Sequence, residues 1–550
     1  MAAETEVEVP PARAVDAVNT SSLPPPESSE SIWTRRFVIL SFWAVAILLG
    51  LPLWYKTTTI YRAELPLQPM LEWSDGKTCR PVFPLRIAFE APSLSTADAQ
   101  HLLRTTQHAL DDLNDFSAHH LRLLLSDSSK TSNSSQALNR DGSSDADVAL
   151  TIHLISSQDR SLPRAELQAY APTVDVFYAP NQIPSLSSTS SPLATFIANE
   201  LQSMFAEEQA SLAHLLASGG MGQNVRIKSL SPESAAALER QKTRSFRYAP
   251  TYHLTFSLFT PEAIPSAWEI ESALEEYLAP LLQSLSSISN FTVDTQVQMY
   301  ATFAPSIREP EYSEEQNAWT LRTEDLSGFI NAAEWPLSPS IGEGPTVNFV
   351  LYVPSSDQSP LVVKENGGNS WLIPQWGGVQ ILNPLSAQST LTKEALRPAM
   401  LTFSNQLLSL LGVPQSPSSL PLRISTLRRV RAASLLFSAS STLGSLARLT
   451  QALPSIAIPD TVAYSVEQTI AHLEAACDGL REGRFHRALE NARIAEAEAE
   501  KAFFERSMVG QVYFPDEHKV AVYLPLLGPV AVPLVMAAVK EIKSLRRPRS

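Results

Sequence analysis

A run of twenty residues without a charged side chain, Val520–Val539, lies near the end of the chain and constrains its fold more than any other feature. At about 1.5 Å of rise per residue, a helix of this length crosses the roughly 30 Å hydrocarbon layer of a bilayer. The following segment, 540–550, carries five basic residues, and such a flank stays on the cytosolic side. The sequence therefore predicts a membrane-spanning helix whose C-terminal end faces the cytosol.

A second uncharged run, Phe37–Tyr55, lies near the other end of the chain. Two spans place both termini on one side of the membrane, so residues 56–519 are predicted to face the lumen or the exterior. Two other interpretations stay open. Phe37–Tyr55 could be the core of a cleaved signal peptide, although it exceeds the usual stretch of roughly 7–15 apolar residues, and Val520–Val539 could belong to a lipid-anchor signal that is removed.

The composition restricts the partners and the means of stabilisation. The 550 residues carry a net charge of −14, and no basic patch with interleaved aromatic residues is present, so nucleic acid is not expected as a partner. With two cysteines in the whole chain, a disulfide scaffold is excluded. Cys79 and Cys477 could pair and join the two membrane-proximal ends of the luminal part, but the favoured interpretation is two separate thiols.

Residue patterns also predict the domain organisation. Residues 1–34, rich in Pro, Ser and Glu, are expected to form a disordered cytosolic tail. Helical and strand patterns alternate over 82–390, which predicts a mixed α/β (α+β) domain with a mobile polar insertion at 126–147. Residues 393–519 are predicted to be mainly helical, with long helices that lead back to the membrane, and 540–550 to form a basic cytosolic tail.

Hydrophobic periodicity locates the individual elements. Strands are predicted at 84–89, 148–155, 173–178, 252–259, 292–301, 347–353 and 370–373. The glycine pairs at 367–368 and 377–378 are predicted as turns on either side of the last of these strands. Helices are predicted at 95–113, 193–205, 210–216, 268–285, 393–411, 422–453 and 462–507, with Ser95 or Thr96 as the N-cap of the first. The β-α-β successions before and after residue 220 look alike, and the sequence leaves open whether they form an internal repeat.

Glycosylation sequons fit a luminal central domain. Asn133 and Asn290 lie in the predicted luminal part and are candidate acceptors. Asn19 lies in the predicted cytosolic tail and is expected to stay unmodified.

The chain shows no motif of a known catalytic or metal site, such as HExxH, paired CxxC, GxSxG or a phosphate-binding glycine loop. The sequence therefore predicts no catalytic residue, cofactor or metal ion. The adjacent pair His119-His120 is expected at a solvated end of an element. Cys477 and His472 do not share a helical face, and Cys477 is expected to be a buried structural thiol.

Three blocks of sequence resemble one family. They lie after the first apolar run, in the middle of the chain and before the second apolar run. Their residues are Trp54, Tyr61 and Arg62; Trp376, Gly377 and Gly378; and Phe503, Phe504, Tyr513, Phe514 and Pro515. In this order, and with an apolar run at each end of the chain, the blocks resemble the PIG-S family, a subunit of the glycosylphosphatidylinositol (GPI) transamidase complex.

The resemblance implies a non-catalytic structural subunit that supports attachment of GPI anchors to the C-terminus of precursor proteins. It implies residence in the endoplasmic reticulum membrane, as a glycoprotein with two spans and both termini cytosolic. The expected partners are PIG-K, a cysteine-protease-like subunit that carries the catalysis, together with PIG-T, PIG-U and the GPI anchor attachment protein. The alternative is a membrane-anchored luminal hydrolase or transferase whose active site has no recognised motif.

Overall fold

The computed structural model describes most of the chain. The described residues are 28–58, 61–126, 148–157, 163–218, 232–301, 303, 307–326, 329, 344–384, 388–454, 456–508 and 516–546. The predicted mobile insertion, apart from residue 126, and residues 1–27 of the predicted tail lie outside them. Contacts divide the chain into two compact units, of which the second comprises residues 63–454 and 458–505.

The first unit contains the apolar helices from both ends of the chain. Its elements are α1 (Ser29–Val45), a π-helical segment (Ala46–Gly50), α2 (Leu51–Thr58) and, at the other end, α14 (Asp516–Arg546). The Ser28 hydroxyl accepts a hydrogen bond from the N–H of Ser31 and caps α1. Residues 29–34, which were predicted to belong to the disordered tail, are therefore helical.

Among the described residues, one helix, Ser29–Gly50, is long and apolar enough to cross a membrane. The predicted second span, residues 520–539, lies within the helix α14. The start of α1 contacts the end of α14, because Arg35 Nε and Arg36 Nε lie 3.3 and 2.6 Å from the two carboxylate oxygens of Glu541. The two ends of the chain therefore meet in this unit.

The second unit contains two lobes, each built on a five-stranded sheet. The strands of lobe 1 are β1 (Phe83–Glu90), β2 (His119–Leu125), β3 (Val148–Ser156), β4 (Arg164–Leu167) and β5 (Thr173–Tyr178). They lie in the order β2-β1-β3-β5-β4. The helices of this part are α3 (Leu67–Ser74), α4 (Thr96–Leu113), α5 (Pro192–Met204), α6 (Ala206–Ser218) and α7 (Pro232–Arg244). All strands are parallel except β4, which pairs antiparallel with β5.

The main sheet of lobe 2 contains β6 (Thr251–Thr260), β8 (Asn290–Met299), β11 (Thr346–Tyr352), β13 (Ser370–Ile373) and β14 (Gly377–Ile381). These strands lie in the order β8-β6-β11-β14-β13. Short strands β7 (Ala267–Trp268), β9 (Glu311–Ser313), β10 (Ala318–Leu321), β12 (Leu361–Val363) and β15 (Thr390–Leu391) form two small sheets. The helices are α8 (Ile270–Ala273), a π-helical segment (Leu274–Leu278), α9 (Ala279–Leu285) and α10 (Lys393–Leu410).

The two lobes share one topology. In each five-stranded sheet, the first strand has the second strand on one side and the third on the other, all parallel. The fourth strand along the chain forms the far edge of the sheet. The fifth strand lies between the third and the fourth and pairs antiparallel with the fourth. A helix follows the strands of each sheet, α5 in lobe 1 and α10 in lobe 2. The two β-α-β successions that look alike in the sequence therefore form two lobes with the same topology.

Three long helices complete the second unit: α11 (Leu420–Ala452), α12 (Asp460–Glu482) and α13 (Phe485–Phe503). The sequence predicted one helix over 462–507, but Gly483 ends α12 with a left-handed φ of 75° and turns the chain back into α13.

A disulfide joins the segment before β1 to α12. Cys79 precedes β1 and forms this bond with Cys477 of α12, with Cα atoms 6.2 Å apart. The prediction of two separate thiols is therefore wrong.

Candidate functional site

The family block in the middle of the chain forms the start of β14. Gly377 pairs with Asn348 of β11, and the Asn348 N–H donates to the Trp376 carbonyl at 2.9 Å. Gly377 has a φ of 156°, and a Cβ on it would collide with the Asn348 backbone. Gly377-Gly378 was predicted as a turn, but both residues lie within the buried strand. Close backbone approach, rather than a change of chain direction, requires the glycine at 377.

Gly378 allows α10 to lie directly on the second sheet. A Cβ on this residue would collide with the side-chain carbonyl oxygen of Gln406 in α10. The Gln406 amide nitrogen donates to the Trp371 carbonyl at 3.0 Å. On the same surface, Phe403 of α10 lies 5.1 Å from Phe349, measured between ring centroids. The Trp-Gly-Gly block therefore fixes the distance between the helix and the sheet of lobe 2.

A buried ion pair connects lobe 1 to the long helices. Arg429 of α11 donates from Nε and Nη2 to the two carboxylate oxygens of Glu208 in α6, both at 2.6 Å. The side chains of Glu208 and Arg429 are 1% and 3% exposed. Thr426 donates to the same carboxylate at 2.6 Å, and the Arg429 guanidinium lies over the Phe485 ring at 5.4 Å. This is a bidentate, fully desolvated contact between elements more than 200 residues apart in sequence.

His119 also faces this carboxylate. It begins β2, is fully buried, and its Nε2 lies 3.5 Å from Glu208 Oε1. The prediction that His119-His120 occupies a solvated end is wrong, because β2 was not recognised in the sequence and lies beside β1 as a parallel strand. Glu208 lies between the predicted helices 193–205 and 210–216, so the sequence did not place it on a buried helical face and could not have shown that it meets Arg429.

The charge state of Glu208 follows from its surroundings. Burial raises the pKa of this carboxyl, but the attraction and hydrogen bonds of Arg429, together with the smaller effect of the neighbouring His119, outweigh burial and lower the pKa far below its usual range. Glu208 is therefore held as an anion and does not release or take up a proton near neutral pH. This makes it a structural group rather than a general acid or base.

The described residues form neither a candidate metal centre nor a reactive thiol. They contain no cluster of three His, Cys, Asp or Glu side chains that could hold a metal ion. The sulfur atoms of Cys79 and Cys477 form the disulfide, so Cys477 is not a thiolate nucleophile in this structure.

The remaining predicted residues lie at separate places in the fold. Tyr61 is exposed and Arg62 half-buried in the first unit. Phe503 is the last residue of α13, and its ring lies 5.0 Å from the exposed ring of Phe504. Trp54 lies in α2. Asn290 is exposed at the start of β8. The other candidates, Tyr513, Phe514, Pro515 and Asn133, lie outside the described residues.

The family blocks and this fold can be compared with known proteins. A sequence model of the family described as "PIG-S: Phosphatidylinositol-glycan biosynthesis class S protein" matches residues 41–548. The chain belongs to the PIG-S family. All three family blocks lie within the matched region.

Relatives of this PIG-S chain from distant organisms match it over most of their length. The "GPI-anchor transamidase component PIGS" of Rattus norvegicus is 28% identical, over 91% of this chain and 94% of its own. The "GPI transamidase component PIG-S homolog" of Schizosaccharomyces pombe is 29% identical, over 94% and 85%. The "GPI transamidase component GPI17" of Saccharomyces cerevisiae is 27% identical, over 90% of each chain.

Proposed function

We propose that this protein is a non-catalytic structural subunit of a GPI transamidase complex and supports attachment of GPI anchors to the C-terminus of precursor proteins in the endoplasmic reticulum. The observation that carries the proposal is the match to the PIG-S family over residues 41–548, together with relatives that are named as components of this complex. Family membership extends over both units, so it does not rest on a single shared domain.

In this proposal the chemistry belongs to a partner, the cysteine-protease-like subunit PIG-K, with PIG-T, PIG-U and the GPI anchor attachment protein as further partners. Two features of the described residues support a positioning role. The buried carboxylate Glu208 is held as an anion, and both cysteines are used in a disulfide. No observation favours the alternative of an independent hydrolase or transferase. Holding two reactants in register can by itself lower a barrier by several kcal/mol, on the order of 7–11 at best.

The proposal includes a membrane arrangement with two spans, residues 37–55 and 520–539. The segments 1–34 and 540–550 are then cytosolic tails, and residues 56–519 are luminal. The contact between Arg35, Arg36 and Glu541 supports this arrangement, because it brings the start of the first apolar helix to the end of the last one. The disulfide between Cys79 and Cys477 also fits an oxidising lumen.

We expect deletion of this protein to lower surface display of GPI-anchored proteins while assembly of the free GPI lipid continues. Flow cytometry of anchored proteins and chromatography of the lipid check the two halves. Co-purification in mild detergent should recover the protease-like subunit. Normal anchoring in the deletion strain, or a purified protein that attaches anchors without any partner, would contradict the proposal.

For the membrane arrangement, we expect Asn290→Gln to remove one endoglycosidase-sensitive glycan, because Asn290 is exposed and predicted to be luminal. Asn19→Gln is the matched control and should leave the mass unchanged, since Asn19 lies in the predicted cytosolic tail. The mobility of each variant in a denaturing gel, before and after enzymatic deglycosylation, gives the answer. A glycan at Asn19 would place the N-terminus in the lumen and overturn the arrangement.

A further inference from the structure

The strand β8 forms an exposed edge of the main sheet of lobe 2. It pairs in parallel with β6 and with no other strand of the described residues. Its ten residues extend over about 30 Å, at roughly 3.3 Å per residue. Val293, Val297 and Met299 are 39%, 37% and 41% exposed. The edge is therefore accessible along its length, although every residue of the neighbouring β6 after Thr251 is buried.

The backbone groups of alternate residues of β8 point away from the sheet. The Asn290 N–H donates to the Pro250 carbonyl at 2.8 Å, so the even-numbered residues form the ladder with β6. The N–H and C=O groups of the odd-numbered residues therefore point outward. Within the described part of the chain, nothing forms a hydrogen bond with the outward groups of Val293, Thr295 or Val297. Such a row of unpaired groups is a template for another strand.

The other edges of the two five-stranded sheets are protected. In lobe 1, β2 occupies the position of β8, but a side chain of α4 caps its outward groups. The Leu123 N–H donates to the Gln107 side-chain oxygen at 2.9 Å, and the Gln107 amide nitrogen donates to the Leu121 carbonyl at 3.0 Å. The remaining edges, β4 and β13, are only four residues long. Among these described edges, β8 alone is both long and uncapped.

The side chains of β8 determine the chemistry of a matching strand. One face carries an apolar row that is interrupted by Thr295. The row consists of Phe291, Val293, Val297 and Met299. The other face is polar, and Asp294 is the single charged residue of the strand, which contains no Lys or Pro to block pairing. A matching strand therefore has apolar side chains at alternate positions and a basic residue opposite Asp294, because cross-strand pairs of opposite charge are favourable.

We propose that β8 binds an extended segment of another polypeptide, which adds a sixth strand to the main sheet of lobe 2 over residues 293–299. In strand addition, main-chain hydrogen bonds supply the affinity and alternate side chains supply the specificity. The occupant is not a second copy of this chain, because a copy would bring a second net charge of −14 to the edge, whereas a basic segment is attracted to Asp294.

The proposed strand addition goes beyond the proposed function, which assigns no surface of this protein to a partner. It does not depend on which complex contains the protein, because the unpaired edge is recognised through backbone groups. The candidate glycan acceptor Asn290 lies at the first position of β8, outside the paired residues 293–299.

The test is hydrogen–deuterium exchange of the full-length protein, resolved to single amides by mass spectrometry. The protein is measured alone in mild detergent and in the assembly that co-purifies with it. In the protein alone, we expect fast exchange of the unpaired amides of Val293, Thr295 and Val297. In the assembly, these amides should exchange about tenfold more slowly or less, because each donates to the added strand. The capped amide of Leu123 is the internal control and should change by less than about twofold.

Thr295→Pro removes one outward N–H and places a ring at the edge, while the hydrogen bonds of the even-numbered residues with β6 stay intact. It should abolish the protection of Val293 and Val297 in the assembly. Thr295→Val is the matched control, which keeps the N–H and should behave as the wild type. If the proline variant unfolds, Val297→Glu retains every backbone group but places a charge in the apolar row, and should weaken the protection about tenfold.

Three results would overturn the proposal. The first is fast exchange of the three amides in the assembly. The second is protection in the protein alone that increases with its concentration, which would indicate pairing between two copies. The third is protection that a folded Thr295→Pro variant, or Val297→Glu in its place, leaves unchanged.

Discussion

Replacing Arg429 by methionine should lower the free energy of unfolding by about 3–5 kcal/mol, because the change leaves the Glu208 carboxylate buried without its cation. The lost contact is bidentate, with both hydrogen bonds at 2.6 Å and the two side chains almost fully buried. It joins α6 of lobe 1 to α11, so its loss should loosen lobe 1 relative to the long helices. Denaturant unfolding of the purified protein, followed by fluorescence and circular dichroism, measures the effect.

Two comparisons make this prediction specific to the ion pair. The double variant Glu208→Met with Arg429→Met removes both charges and should recover much of the lost stability, since buried pairs replaced by apolar side chains are often neutral in effect. Arg448→Met removes an exposed arginine from the same helix and should change stability by less than about 0.5 kcal/mol. Equal stability of Arg429→Met and Arg448→Met would show that the buried pair is not a stabilising contact.

The pair also makes stability depend on pH in a defined direction. Arg429 lowers the folded-state pKa of Glu208 below its ordinary value of 4.5. The stabilisation is therefore complete above the unfolded-state pKa and is lost as the pH falls from there toward the folded-state value. In Arg429→Met, burial raises this pKa and is opposed only by the smaller effect of His119, so the variant should become more stable as the pH falls toward 4.5. A parallel pH profile for both proteins would contradict this assignment.

Replacing both cysteines by serine should lower the free energy of unfolding by about 2–5 kcal/mol, the usual cost of losing a native disulfide. Cys79 and Cys477 are 398 residues apart in sequence, so the bond closes a very long loop and restricts the unfolded chain. The bond also joins the segment before β1 to α12. Thermal unfolding of the wild type, with and without a reducing agent, and of Cys79→Ser with Cys477→Ser measures the effect.

The reducing agent itself provides the control, because it should lower the melting temperature of the wild type and leave that of the double variant unchanged. A wild type that melts at the same temperature in both conditions would show that the bond does not stabilise this fold.

Much of the local structure was predicted from the sequence. β5 lies at 173–178 as predicted, and α11 begins and ends within two residues of its predicted bounds. Ser95 or Thr96 was predicted as the cap of α4, and it is the Ser95 hydroxyl that accepts a hydrogen bond from the N–H of Asp98. These features follow from periodicity and capping, which depend on neighbouring residues. The family blocks were also visible in the sequence, because they are contiguous.

The predictions that failed concern partners distant in sequence. β2 has the sequence HHLRLLL after a short loop, and its identity as a strand depends on pairing with β1. The glycine pair at 377–378 was predicted as a turn, because nothing in its neighbourhood reveals the approach of α10. The two cysteines were predicted as separate thiols, because a pattern in the sequence contains no measure of the distance between them.

The sequence by itself determined the two apolar runs, most helices and strands of the central domain and membership of the PIG-S family, since each follows from the order and spacing of nearby residues. The tertiary structure alone decided the Glu208–Arg429 pair, the Cys79–Cys477 bond and the shared topology of the two lobes. The physical reason is that these features arise when packing brings together residues hundreds of positions apart. Side-chain periodicity records which face of an element is buried, but it does not record which other element covers that face.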